Sequence, residues 1–189
     1  MQDLGTLLGD KFSIATGINE RGRVVVNSSP NTDPTFDLFV HSFLWEKGTI
    51  QEVGQIGDTF TSASAINSRG QVTGSSDITN PGSHIPHAFL WDRGFTQDLG
   101  TLGGFVSYAN SINNGSQVVG ESLTTLTDPT FGFQLFHAFL SERGGPMQDL
   151  GTLGGPNSNA VDINSSGLVV GFSDTALQDP TFGYTIYHA

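Results

Sequence analysis

Along most of the chain, apolar and polar residues alternate with a period of two, and no helical period runs through any stretch. That alternation puts successive side chains on opposite faces and predicts short strands. The second strand of each unit reads Val24-Val25-Val26, Gln71-Val72-Thr73, Gln117-Val118-Val119 and Leu168-Val169-Val170, rich in β-branched residues and bounded by turn formers. Before each stands an Asn (Asn19, Asn67, Asn113, Asn164), with Gly22, Gly70 and Gly167 three positions on and Gly115 shifted by one. Asn can hydrogen-bond the backbone two residues ahead and Gly tolerates positive φ, so the pattern predicts a tight hairpin turn. The third strand opens on His41, His87, His137 and His188, as in His87-Ala88-Phe89-Leu90-Trp91. The fourth is Gln-Asp-Leu-Gly-Thr-Leu, beginning at Gln2, Gln51 (here Gln-Glu-Val-Gly), Gln97 and Gln148, after a second turn at Lys47-Gly48, Arg93-Gly94 and Gly144-Gly145.

These units recur together every 46 to 51 residues, dividing the chain into copies at about 1–50, 51–96, 97–147 and 148–189. A repeat of that length marks an array in which each unit stacks on its neighbours to make one continuous domain, 1–189. The expected fold is all-β: a β-propeller-like array of four repeats, each a four-stranded antiparallel sheet. A β-solenoid is the alternative, but tight turns pair neighbours antiparallel, whereas solenoid strands stack in parallel. Copy four stops two residues into its His-Ala unit, and Met1 stands where Met147 stands. These points lead to the expectation of a fragment of a larger propeller.

Spacing locates the variable part. Gln to Asn spans 17, 16, 16 and 16 positions, while the second strand to the His spans 15, 13, 17 and 17. Insertions thus collect in one loop per copy, and such loops share a face and often bind. Three of them carry Asp-Pro-Thr-Phe: Asp33 to Phe36, Asp128 to Phe131 and Asp179 to Phe182. Phe36, Phe131 and Phe182 are the candidate partner contacts, because exposed apolar side chains on one face mark interaction sites. The competing expectation is that each ring is tucked under its own loop.

Taken together, Gln-Asp-Leu-Gly-Thr-Leu-Gly-Gly, Ile-Asn-x-x-Gly, Val-Val-Gly and His-Ala-Phe-Leu-Trp resemble the HAF family of probable extracellular repeats, over essentially the whole chain. The resemblance implies a propeller-like array, a secreted or cell-surface location and no catalytic residues. The chain departs from the pattern at Val26, where Gly is usual, and at Ser141, where Trp is usual.

Charge narrows the partners. With 7 Lys and Arg against 18 Asp and Glu, the formal net charge is −11. Nucleic-acid affinity comes from cations on phosphates, so that class is disfavoured, as is a basic membrane-binding patch. No apolar run approaches a membrane-spanning length. No Cys is present, so a thiolate site or disulfide framework is excluded.

Candidate chemistry is sparse. Four equivalent histidines could meet on an axis and hold a metal. A feature in every copy is better explained by folding, with Asp3, Glu52, Asp98 and Asp149 as hydrogen-bond partners. Trp45, Trp91, Phe43, Phe89 and Phe139 are expected as core between sheets rather than as stacking platforms. Loop carboxylates, Asp33, Asp128 and Asp179 foremost, are calcium candidates without an EF-hand spacing; no other cofactor is expected. The expectation is a non-enzymatic extracellular module that binds a protein, a glycan or a neighbouring subunit through these loops. The alternative is a secreted, glycosidase-like hydrolase with an axial carboxylate site.

Overall fold

The computed structural model describes residues 3–7, 9–30, 41–57, 60–78, 84–178 and 185–189. It contains four antiparallel sheets, one per repeat. The first is β1 (Phe12–Ile18), β2 (Val24–Ser29), β3 (His41–Glu46) and β4 (Thr49–Val53). The second is β5 (Thr61–Ile66), β6 (Val72–Asp77), β7 (Pro86–Asp92) and β8 (Phe95–Asp98). The third is β9 (Gly103–Ile112), β10 (Gln117–Thr127), β11 (Gln134–Glu142) and β12 (Gln148–Asp149). The fourth is β13 (Gly154–Ile163), β14 (Val169–Gln178) and β15 (Thr185–His188). In each sheet the strands lie in chain order, and no helix occurs among the described residues.

Three details differ from the sequence expectation. The fourth sheet has three strands among the described residues. Leu-Gly-Thr-Leu does not extend the fourth strand: β8 ends at Asp98 and β12 at Asp149. An Asp carboxylate accepts the Gly amide two residues on (Gly100 to Asp98, Gly151 to Asp149, both 2.7 Å), which turns the chain out of the sheet. Finally, the third Asn turn keeps its shape although its Gly is displaced. Ser116, not Gly115, takes the left-handed backbone (φ 61°) that Gly22, Gly70 and Gly167 take elsewhere. The Ser116 hydroxyl reaches Gln71 Oε1 at 2.8 Å, a contact across repeats that Gly could not make.

The second turns are two-residue hairpins at Lys47-Gly48 and Arg93-Gly94; the third, at Arg143-Gly144 and one residue earlier than the Gly pair predicts, opens a longer connection from Glu142 of β11 to Gln148 of β12. Both residues of each have positive φ, the mirror-type turn that matches strand twist.

The core lies between successive sheets. Val25, Leu44 and Val53 of the first repeat meet Ala63, Val72, Phe89 and Trp91 of the second. Ala88, Leu90 and Leu99 meet Ala109, Ile112, Val118 and Phe139. Val119 and Ala138 meet Ala160 and Ile163. Phe43, Phe89 and Phe139 are each fully buried, the place expected of a large aromatic at a fixed strand position. Val26 is buried with Val24 and Phe43 under Leu4 and Leu7, which cover the outer face of the first sheet. Connector leucines close the inner interfaces in the same way, as Leu99 and Leu102 do between sheets two and three.

Candidate functional site

Successive connections in a meander alternate between the two ends of a sheet, so each repeat has a turn end and a loop end. The Asn turns gather at the turn end. Ile18, Ile66, Ile112 and Ile163, each closing the first strand of its repeat, line one open depression of about 260 Å3 with Asn19, Asn67 and Asn113. Asn19, Asn67 and Asn113 each do two jobs, and Asn164 does the first. The Oδ1 accepts backbone amides two and four residues on, as Asn67 does from Arg69 and Gln71 at 3.0 Å each. The Nδ2 donates to the carbonyl of the next Asn: Asn19 to Asn67, Asn67 to Asn113 and Asn113 to Asn164, all 3.0 Å. The sequence reading foresaw the local bonds and missed the ladder. Its signal was available as an invariant Asn in every copy at a position where Asp would serve the turn equally well.

At the loop end stand the histidines. His87 Nδ1 lies 3.0 Å from both Asp98 oxygens, and His137 Nδ1 lies 2.9 Å from Asp149. Burial pushes the Asp98 carboxyl up, but hydrogen bonds from His87 and the Gly100 amide, with the His87 charge, bring it below the ordinary aspartate value. His41 instead approaches Asp10 at 3.4 Å, not Glu52. His188, on the outer edge of the fourth sheet, meets no carboxylate among the described residues. The His87–Asp98 and His137–Asp149 pairs each join neighbouring strands of one sheet, and among the described residues no three His, Asp or Glu side chains converge as a metal site would require.

The loop between β10 and β11 is the one Asp-Pro-Thr-Phe segment within the described residues; Asp33, Phe36, Asp179 and Phe182 lie outside them. Asp128 organises this loop. Its Oδ1 accepts the amides of Thr130 and Phe131 at 2.8 Å, and its own amide donates to the Phe133 carbonyl at 2.8 Å. Gly132 takes positive φ (74°), throwing the residues on either side outward. Phe131 and Phe133 are 72% and 71% exposed, with ring centroids 6.3 Å apart and planes tilted by 22°. Phe131 is therefore not tucked beneath its loop. With Oδ1 saturated by amides, Asp128 acts as a turn cap in this structure.

One carboxylate breaks the repeat. Glu121 stands where the other copies have Asn27, Ser75 and Phe172. Burial raises its pKa, and Asn159 of the next sheet donates to it at 2.6 Å, which lowers it in part. It lies between sheets three and four, whereas Glu20 is the carboxylate that lines the turn-end depression.

No family model, no curated protein and no solved structure matches the chain.

Proposed function

We infer that the chain is a non-enzymatic binding module of the HAF-repeat kind, its sheets arranged as propeller blades, acting at or outside the cell surface and holding a glycan or protein ligand at its loop end. The observation that carries this reading is the exposed Phe131–Phe133 pair on a loop pre-organised by Asp128. Ordering a loop costs conformational entropy, and here internal hydrogen bonds have already met that cost before a partner arrives. Two neighbouring aromatic faces offer apolar area that a ligand can cover, at about 1.5–3 kcal/mol for each ring fully buried.

A radial arrangement of the sheets is supported by the turn-end depression, to which all four repeats contribute equivalent isoleucines. The extracellular assignment rests on the sequence resemblance. A glycosidase-like hydrolase remains the alternative. It requires two carboxylates flanking the scissile bond, and Glu20 stands alone in the depression while Glu121 is engaged between sheets. Screening the protein on a glycan array and against a panel of chromogenic glycosides separates the two readings. Binding without turnover is the expected result, and turnover of any glycoside would reverse the ranking.

A further inference from the structure

Sheets two and three leave a cleft of about 330 Å3 between them at the turn end. Leu90, Gln71 and Ser116, all buried, form its floor, and Arg69, Arg143, Asp92 and Phe95 stand around it. Only 7 of the 189 residues are Lys or Arg, and two of them, from different repeats, share this cleft. Among the described residues no carboxylate forms an ion pair with either. The carboxylate of the cleft, Asp92, is engaged by Gln71 Nε2 at 3.3 Å and by Arg93 at 3.7 Å. The cleft is therefore a positive spot on a chain of net charge −11.

Ser116 holds the two arginine-bearing turns together. Its Oγ donates to Gln71 Oε1 at 2.8 Å and lies 3.4 Å from an Arg69 guanidinium nitrogen, and its carbonyl accepts the Arg143 amide at 2.8 Å. Gln97 Nε2 donates to the Gly144 carbonyl at 2.6 Å, which fastens the Arg143 turn to sheet two. Both turns are thus fixed before any ligand arrives, and this limits the ordering cost of binding. The interface between sheets one and two uses the same ground differently. Arg23 stands where Gln71 does and Glu46 where Asp92 does, and the two form an ion pair at 2.9 Å. Arg23 lies over Gly70, the counterpart of Ser116, where a Cβ would collide with its guanidinium. Thr49 takes the place of Phe95. Between sheets two and three the shorter Gln71 and Asp92 leave the space open, and Phe95, 70% exposed, adds an aromatic face beside it.

We propose that this cleft binds a uronic acid residue of an acidic glycan. A planar guanidinium matches a carboxylate through a fork of two hydrogen bonds, so Arg69 and Arg143 take the acid group. Phe95 presents a flat apolar face that the C–H face of a pyranose ring covers. The Asp92 side chain, 46% exposed, accepts the sugar hydroxyls. The other small ligands fit less of the cleft. A phosphate uses the arginines, leaves Phe95 bare and meets the Asp92 charge. A neutral sugar uses Phe95 and Asp92 and leaves both arginines unmatched. The site is at the turn end and shares no residue with the Phe131 loop, so each stands or falls without the other.

The test is an amide NMR titration of the 189-residue chain with sodium galacturonate, and separately with galactose and with inorganic phosphate. Galacturonate should produce saturable shifts at the Arg69, Ser116 and Arg143 amides while Thr130 and Phe131 stay unmoved. At the binding efficiency usual for small ligands, the dissociation constant is expected at about 1 mM, a range that titration in solution reads. Arg69→Gln and Arg143→Gln should each weaken binding about tenfold, the loss of one charge-assisted pair, and Phe95→Ser should weaken it several-fold. All three positions are exposed, so the amides away from the cleft should keep their positions in each variant, which shows that the fold is retained. Galactose and phosphate should bind about tenfold more weakly than galacturonate. Cleft amides that do not move with galacturonate overturn the proposal. So does an affinity unchanged in both arginine variants, or phosphate or galactose binding as tightly as galacturonate.

Discussion

Asn67 Nδ2 donates to the Asn113 backbone carbonyl 3.0 Å away, joining two repeats through a side chain whose carbonyl oxygen also shapes its own turn. Asn67 is buried, and Nδ2 holds Gln71 Oε1 at 2.7 Å as well. Truncating it strands buried amides and a carbonyl together, and each unsatisfied group costs about 1–3 kcal/mol. Asn67→Ala is expected to destabilise by about 3 kcal/mol in chemical denaturation, from its several orphaned groups. Asn164→Ala, in an exposed turn at the end of the ladder, should cost less than about 1 kcal/mol, the worth of a solvated cap bond. Equal losses at the two positions would show that only the local turn matters.

The second turns give a prediction of opposite sign. Arg93 carries φ 50° in a two-residue turn followed by Gly94 at φ 90°. Left-handed backbone is costly for Arg and well tolerated by Asn. The ion pair of Arg93 with Asp92, at 3.7 Å on an exposed side chain, contributes little. Arg93→Asn should therefore stabilise the protein by about 0.5–1 kcal/mol, read as a shift in the denaturation midpoint.

The existence and order of the strands were legible because they depend on local signals: alternation, β-branched runs and Gly or Asn at fixed offsets. The pairing of His87 with Asp98 and of His137 with Asp149 was legible too, since both partners recur in step. The Asn ladder was not. The recurrence of Asn where Asp would serve the turn is only a hint, because whether its amide nitrogen reaches the next repeat depends on how the sheets stack. His41 turns to Asp10 where Glu52 replaces the usual Asp, and the outward set of Phe131 follows from Gly132 and the Asp128 cap. Those are tertiary facts that Asp-Pro-Thr-Phe leaves open.

Asp98 provides a pH test. Its folded pKa lies below the unbonded value of 3.8, so the folded form binds fewer protons than the unfolded one in that range. The His87–Asp98 contribution is present above about pH 4 and is lost as pH falls through the folded value. Asp98→Asn should be less stable than wild type at pH 7, with the difference shrinking on acidification below pH 4. A difference constant down to pH 2 would contradict the pairing.

Glu121 runs the other way. Burial raises its folded pKa above 4.5, so charging it in the folded state carries a cost that is complete above the raised value and absent below 4.5. Glu121→Gln keeps an acceptor for Asn159 and removes that charge. Melting should rise modestly at pH 7, and the gain should disappear as pH falls below the ordinary glutamate range.

The central claim is that the aromatic pair at the loop end meets a partner rather than holding the loop together, and the variant F131S with F133S tests it most directly. Both rings are more than two-thirds exposed, and the loop's hydrogen bonds run through Asp128 and the backbone, so a stability role should be small. The measurement is a melting curve and glycan-array binding of this variant beside the wild type. The account predicts a melting temperature within a degree or so of wild type, since exposed substitutions usually stay within about 0.5 kcal/mol, together with loss of the wild-type binding signal. A fall of several degrees with binding unaltered would contradict it.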